Sequence, residues 1–196
     1  MTVFLIILVA YLIGSIPFGL LGKFFFKIED PRTFGSKNIG ATNVLRSGNK
    51  KAAAFTLFFD MFKGFIAVFI SSFIDNDLVY LAILSVVFGH IFPIYLLFKG
   101  GKGVATFLGA LVSYSAVVGS LTLLAWITVF YFTRKSSVAG ISAIVLSNLF
   151  LFVFCDNTSV QFSLLPLSIF ILFKHSENIK RLLNKEEFSF QGRDKN

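Results

Sequence analysis

Hydrophobic positions in this chain run on without alternating. Long apolar stretches at Thr2–Gly22, Lys51–Ile74, Leu78–Phe98 and Val138–Phe154 approach or exceed the length of a membrane-crossing helix. A crossing of about 30 Å takes about 20 residues at helical rise. Val160–Phe173 is a shorter apolar run that could continue as a helix into the basic tail. Backbone groups in lipid must pair within their own element, which leaves helices or a closed barrel. A barrel would show short alternating segments, so these continuous runs predict helices.

Val104–Phe132 is too long for one span and short for two. Positive charge resolves it. Lys23, Lys27, Arg32, Lys37, Arg46, Lys50 and Lys51 fall in the first long gap, Lys99 and Lys102 in a second, Arg134 and Lys135 in a third, and Lys174 onward in a fourth. The remaining gaps carry Asp75 and Asp77, or Asp156, and no basic residue. Lys and Arg collect in cytoplasmic loops, so Lys102 and Arg134 are expected on one side and the stretch between them crosses twice. A turn near Ser113–Ser115 or Gly119–Ser120 would permit it. The expectation is an all-α polytopic membrane helix bundle of seven transmembrane helices, N-terminus outside and C-terminus cytoplasmic, forming one domain over residues 1–196. Every basic residue but Lys63 then faces the cytoplasm. Thr2–Gly22 has no basic segment before it and no small-residue cleavage site after it, so it reads as a first span rather than a secretory signal.

Composition agrees. Of 196 residues, 56% are apolar and 14% charged, against about 25% charged in soluble domains. The net charge of +8 could suit nucleic acid, but the basic residues sit in short gaps between apolar runs and not along one polar face. Cys155 is the only cysteine, which excludes an internal disulfide. There is no H-E-x-x-H, no paired cysteines and no carboxylate-rich loop to hold a metal. G-x-S-x-G and the His-x4-Asp pattern of one large acyltransferase class are also missing.

Three polar segments are unusual for connectors. In Phe34–Arg46, glycines and small residues let backbone amides approach an anion. Ser36, Asn38, Thr42 and Asn43 add neutral donors, and Arg46 offers a bidentate fork. In Lys99–Thr106, Gly100, Gly101 and Gly103 surround Lys102 ahead of a helix, as in phosphate-cradling loops, though the nucleotide-binding spacing is missing. In Lys174–Arg181, His175, Asn178 and Arg181 would share one face if helical. Taken singly, these segments read equally well as a connector, a positive hairpin and a tail on an anionic surface. Asp60 and Lys63, at i and i+3 within a span, suit a self-neutralising pair that orients its helix, with a direct function as the alternative. His90, before Phe92-Pro93, suits a brace at a helix end better than a catalytic group.

Taken in order along nearly the whole chain, these segments resemble the bacterial acyl-phosphate:glycerol-3-phosphate acyltransferases, integral membrane enzymes of phospholipid synthesis. The resemblance rests on Gly14-Ser15-Ile16-Pro17-Phe18-Gly19, Gly35 to Arg46, Asp60-x-x-Lys63-Gly64, Gly89-His90-x-Phe92-Pro93, Phe98 to Thr106, and His175-x-x-Asn178-Ile179-x-Arg181-Leu182. The family often has Pro where Ile39 stands, Arg where Lys174 stands, and Gly near Lys185. The resemblance implies acyl transfer from acyl-phosphate to the 1-hydroxyl of glycerol 3-phosphate at the cytoplasmic face of the bacterial inner membrane, without a cofactor or metal. The expected partners are the two substrates and membrane lipid, with a transient encounter with a soluble acyl-phosphate-forming enzyme left open and no nucleic acid. Ser36, Arg46, Lys102, His175 and Asn178 are the expected catalytic residues. Asn38, Gly40, Ala41, Thr42, Asn43, Gly101 and Gly103 are expected to bind substrate phosphate, and Asp60, Lys63 and His90 to be structural polar groups. The rival reading is a transporter or channel for an organic phosphate. Against it, the polar motifs gather at one face and no repeat is visible.

Overall fold

The computed structural model describes residues 1–190. Arg193 and Lys195, counted above with the basic tail, lie outside them. Ten α-helices form: α1 (Thr2–Ser15), α2 (Phe18–Phe26), α3 (Ala41–Leu45), α4 (Lys50–Ile74), α5 (Val79–Ile91), α6 (Val104–Tyr114), α7 (Ala116–Thr133), α8 (Ser136–Phe154), α9 (Thr158–Phe173) and α10 (Ser176–Leu183). Among the described residues there is no strand. Five helical segments among the described residues are long and apolar enough to cross a membrane: Thr2–Phe26, Lys50–Ile74, Asn76–Leu96, Ala116–Thr133 and Ser136–Phe154. Val104–Tyr114 and Thr158–Phe173 are apolar but shorter.

The ambiguous Val104–Phe132 stretch is two helices, parted at Ser115, whose backbone is extended. This is the first of the two expected turns. Elsewhere the boundaries differ for local reasons. The first span is longer than expected and broken. Pro17 disfavours the helical region for the residue before it, so Ile16 is extended and α1 ends at Ser15. The helix then restarts and runs past Gly22 to Phe26. Likewise α5 stops at Ile91, two residues before Pro93, and a short 3-10 turn over Ile94–Leu96 completes the segment. The last helix does not continue into the tail. It breaks at Lys174 and His175, and α10 starts afresh.

The described residues fall into two compact units, Met1–Ala116 and Val117 onward. In the first, helices approach through glycine. A Cβ on Gly64 would fall on the Thr106 carbonyl of α6, and one on Gly109 would fall on Met61 of α4. Gly14 lies in the same way against Val86, and Gly89 against Tyr11, so α1 and α5 are equally close. Small residues allow this because lipid supplies no hydrophobic drive between helices and packing must hold them together. Ile6, Ala10, Ala67, Val68, Ala82, Ile83, Val86 and Phe107 are buried here. In the second unit Ala143, Ile144, Leu151, Leu164, Leu167 and Ile171 are buried. Ser168 there donates to Asn148 at 3.3 Å. Phe24, Phe25, Phe58, Phe73 and Phe132 stay exposed, as lipid-facing side chains do.

Candidate active site

The segment before α3 is built around one side chain. Asn43 is buried, and its amide nitrogen donates to the carbonyls of Pro31 (2.6 Å), Asn38 (2.9 Å) and Phe34 (3.2 Å). Its carbonyl oxygen accepts from the Ser36 backbone N–H at 2.9 Å and from Arg46 Nη1 at 3.1 Å. An irregular backbone must find partners for its polar groups, and Asn43 supplies several of them. Asn43 therefore shapes the loop from inside it. The Gly40 N–H is taken by Asn38 Oδ1 at 2.8 Å. Gly35, at φ +57°, has no room for a Cβ, which would fall on Asn43 Oδ1 and crowd Arg46. Ser36 and Arg46 are thus fixed relative to each other through one amide. Ala41 and Thr42 form the first turn of α3.

The loop is tied to the helices at two points. Gly19 of α2 leaves space for the Ile39 carbonyl. Asp30 receives Arg32 through both oxygens (Nε 3.0 Å, Nη2 2.8 Å), with Lys23 Nζ at 3.3 Å. Hydrogen bonding from Arg32 holds the Asp30 carboxyl well below the ordinary carboxylate range, against the opposing effect of burial. Lys23 and Arg32 therefore serve the loop's structure. On its other side Arg46 borders an open cleft of about 940 Å³, lined also by Phe26, Lys27, Phe34, Lys50 and Lys51.

The Lys99–Gly103 hairpin is held differently. Gly101 N–H donates to the His90 carbonyl and Gly100 N–H to that of Ile91, each at 3.1 Å. Leu97 and Phe98, at φ +51° and +63°, turn the chain back onto α5. Lys102 is half-buried between Gly101 and Gly103, both buried. Gly103, at φ +93°, starts α6.

Beneath the hairpin lies the polar cluster expected to be structural. Lys63 Nζ is 2.8 Å from Asp60 Oδ1 and donates to the Ile16 carbonyl at 2.8 Å. In an unbroken helix that carbonyl would accept the Leu20 N–H, which bonds to Pro17 instead. The break at Pro17 thus provides Lys63 with a partner. The Phe18 ring lies 5.7 Å from the same ammonium. His90 Nδ1 is 3.5 Å from Asp60 Oδ1. The expected pair is joined by His90, which stands at the end of α5.

In the second unit, His175 and Asn178 are placed by separate means. His175 lies just before α10, and its Nδ1 is 2.8 Å from the Ile171 carbonyl. A carbonyl only accepts, so Nδ1 carries the proton and Nε2 is the ring's acceptor when neutral. Asn178 is buried and donates to Glu187 Oε1 at 2.7 Å, while Arg181 Nε donates to Oε2 at 2.8 Å. Of the expected row of His175, Asn178 and Arg181, the last two lie on α10 while His175 precedes it, and Glu187 is the residue that sequence reasoning missed. It reaches back because α10 ends in a reversal, with Lys185 at φ +61° and Glu186 N–H bonded to the Arg181 carbonyl. Such a C-terminal turn favours glycine, and here Lys185 occupies it. Burial pushes the Glu187 carboxyl up, but hydrogen bonds from Asn178 and Arg181 outweigh it and hold the group below its ordinary value. Among the described residues, no three His, Cys, Asp or Glu side chains group together as metal ligands would.

Comparison with known proteins agrees with the resemblance. The glycerol-3-phosphate acyltransferase family model matches residues 4–185. Glycerol-3-phosphate acyltransferase of Bartonella quintana (strain Toulouse) is 43% identical, covering 97% of this chain and 93% of that protein. Its counterpart from Paraburkholderia phymatum is 42% identical over 93% of this chain and 90% of that protein. Among solved structures, PlsY (YgiH), described as an integral membrane glycerol 3-phosphate acyltransferase, matches in its glycerol 3-phosphate form. The TM-score is 0.92 at 37% identity, over 97% of this chain and 96% of that one. Its lysophosphatidic acid form matches with a TM-score of 0.90 at 36% identity. The chain belongs to the glycerol-3-phosphate acyltransferase family, as an acyltransferase built of membrane-crossing helices.

Proposed function

We propose that this enzyme moves a fatty acyl group from acyl-phosphate to the 1-hydroxyl of glycerol 3-phosphate, giving lysophosphatidic acid and inorganic phosphate. The observation that carries the reading is the rigid loop around Asn43, which holds Ser36 and Arg46 together in a chain of this family. It sits in the bacterial inner membrane with seven crossings, N-terminus outside, C-terminus and chemistry on the cytoplasmic side. The positive charge in alternate gaps supports that orientation, with α6 and α9 as the two short crossings.

The Ser36–Asn43 loop and Lys102 hold the acyl-phosphate. Arg46, Lys102, His175 and Asn178 take part in holding glycerol 3-phosphate. Backbone amides, Arg and Lys offset the repulsion between two phosphates and the charge developing on the attacked carbonyl. The hydroxyl oxygen attacks the acyl carbon, the bond from that carbon to the phosphate oxygen breaks, and phosphate leaves. The hydroxyl proton passes to an oxygen of the leaving phosphate, while His175 binds and orients glycerol 3-phosphate. An acyl-phosphate already carries a good leaving group, which suits a set of residues poor in carboxylates.

The test is purified protein with glycerol 3-phosphate and one donor at a time. Lysophosphatidic acid should form with acyl-phosphate and not with acyl-CoA or acyl-carrier protein. Equal turnover of a thioester overturns the donor assignment, and no product above a heat-killed control overturns the activity. A pH–rate profile of His175→Asn separates the two bases. Substrate assistance predicts a raised KM with an unchanged profile, and a lost limb would make His175 the base.

A further inference from the structure

We infer that His90, anchored by Asp60 and Lys63, is a positioning residue for substrate phosphate, because both its backbone and its ring hold Gly101 and so set where Lys102 stands. This rests on the reading that Lys102 binds phosphate.

The geometry runs through one residue. The His90 carbonyl accepts the Gly101 N–H at 3.1 Å. The His90 ring lies over the same glycine so closely that a Cβ there would fall on Nε2. A Cβ on Gly100 would fall on the His90 carbonyl and crowd Pro93. The hairpin therefore has no side chain of its own at the contact and takes its height from the imidazole. The imidazole is itself fixed. It is 5% exposed, with Nδ1 3.5 Å from Asp60 Oδ1, and Asp60 is paired with Lys63 at 2.8 Å. Lys63 ends on the Ile16 carbonyl that Pro17 releases. The break after α1, helices α4 and α5 and the hairpin are thus linked through one polar cluster. If the cluster served only to join helices, the ring would not need to face a glycine in a basic loop. Tyr11, which donates to the Phe92 carbonyl at 2.7 Å, pins the neighbouring turn of the same helix end. The position of a charged group matters steeply to a bound phosphate, since a shift of about 1 Å in a site can cost about a hundredfold.

The test is a double-mutant cycle on the full chain in detergent or lipid. It reads KM for glycerol 3-phosphate and kcat separately, and direct binding of glycerol 3-phosphate by calorimetry. His90→Ala should raise KM about tenfold and change kcat less than threefold, as loss of binding does. Gly101→Ala should raise KM at least as much, because its Cβ meets the ring. The double variant His90→Ala/Gly101→Ala should be no worse than His90→Ala, because the ring is gone. A helix-joining role predicts the opposite: less folded enzyme, lower apparent kcat, an unchanged KM, and single effects that multiply. Either pattern overturns the inference. If His90→Ala does not fold, His90→Asn clears the same space over Gly101 while still facing Asp60, and completes the cycle. Lys102→Ala is the control for the underlying reading. An unchanged KM there removes Lys102 from phosphate binding, whereas additive behaviour at positions 90 and 101 with an impaired Lys102→Ala removes only the positioning role. Should wild type bind glycerol 3-phosphate without turning over acyl-phosphate, the donor assignment fails and the same cycle is decided on Kd.

Discussion

The Asn43 loop and the Lys99–Gly103 hairpin are both short, irregular and rich in glycine, yet they become rigid by opposite means. The first carries its organiser inside itself. One amide satisfies three carbonyls, one N–H and one guanidinium. The second has almost nothing inside it. It is pressed against a prepared surface, made by the end of α5 and a buried charge cluster, and its glycines are small because that surface leaves no room. A loop that organises itself can be read from its own residues. A loop moulded by its neighbour cannot, because the mould lies elsewhere in the chain.

The comparison can be broken at four places. The largest effect is expected at Asn43→Ala. It strands the Pro31 and Asn38 carbonyls, each unsatisfied group costing about 1–3 kcal/mol when buried. Acyl transfer should fall about a hundredfold or more together with a clear loss of thermal stability. Retention of activity near wild type would mean that the loop does not depend on its own side chain. Next, Gly100→Ala should act on affinity more than on stability, since its Cβ meets the His90 carbonyl and displaces a surface segment. A rise of about tenfold in KM for glycerol 3-phosphate with a small change in melting temperature is expected. A lowered kcat with unchanged KM would contradict the moulded hairpin.

The third test uses Glu187, which combines the two strategies by reaching back onto α10 from outside it. The folded-state pKa of Glu187 is depressed, so its contribution is fully present above the unfolded value of about 4.3. That contribution is lost as pH falls through the lower folded value. Glu187→Gln should therefore destabilise at neutral pH and flatten the loss of stability on acidification, as followed by thermal unfolding between neutral pH and about pH 3. An acid profile parallel to wild type would sink the assignment. The smallest effect is expected at Lys185→Gly. Relief of the left-handed backbone should raise stability by roughly 0.5–1 kcal/mol, net of the extra freedom of glycine in the unfolded chain. KM should not change, and a destabilised variant would count against the turn.

Much of the architecture was legible because lipid imposes a simple rule on sequence. Apolar runs had to be helical, and the charges on either side of Val104–Phe132 required a break that the structure places at Ser115. The i, i+3 spacing revealed the Asp60–Lys63 pair, but not His90 as their third member, since it lies on another helix. Asn178 and Arg181 were visible as one row, whereas Glu187 looked like one more charge in a polar tail. It reaches Asn178 and Arg181 only through the reversal at Lys185. Asn43 looked like a donor for ligand, and its inward orientation could not be read from residue type.

Sequence alone determined the helical class, the number and rough position of the apolar runs, and the family. These depend on composition and on spacing within single segments, which local physics controls. Only the tertiary structure decided which polar groups face inward and which glycines are moulds. It also decided that the carbonyl freed at Pro17 meets Lys63. These depend on contacts between segments distant in sequence, and such contacts are settled by packing.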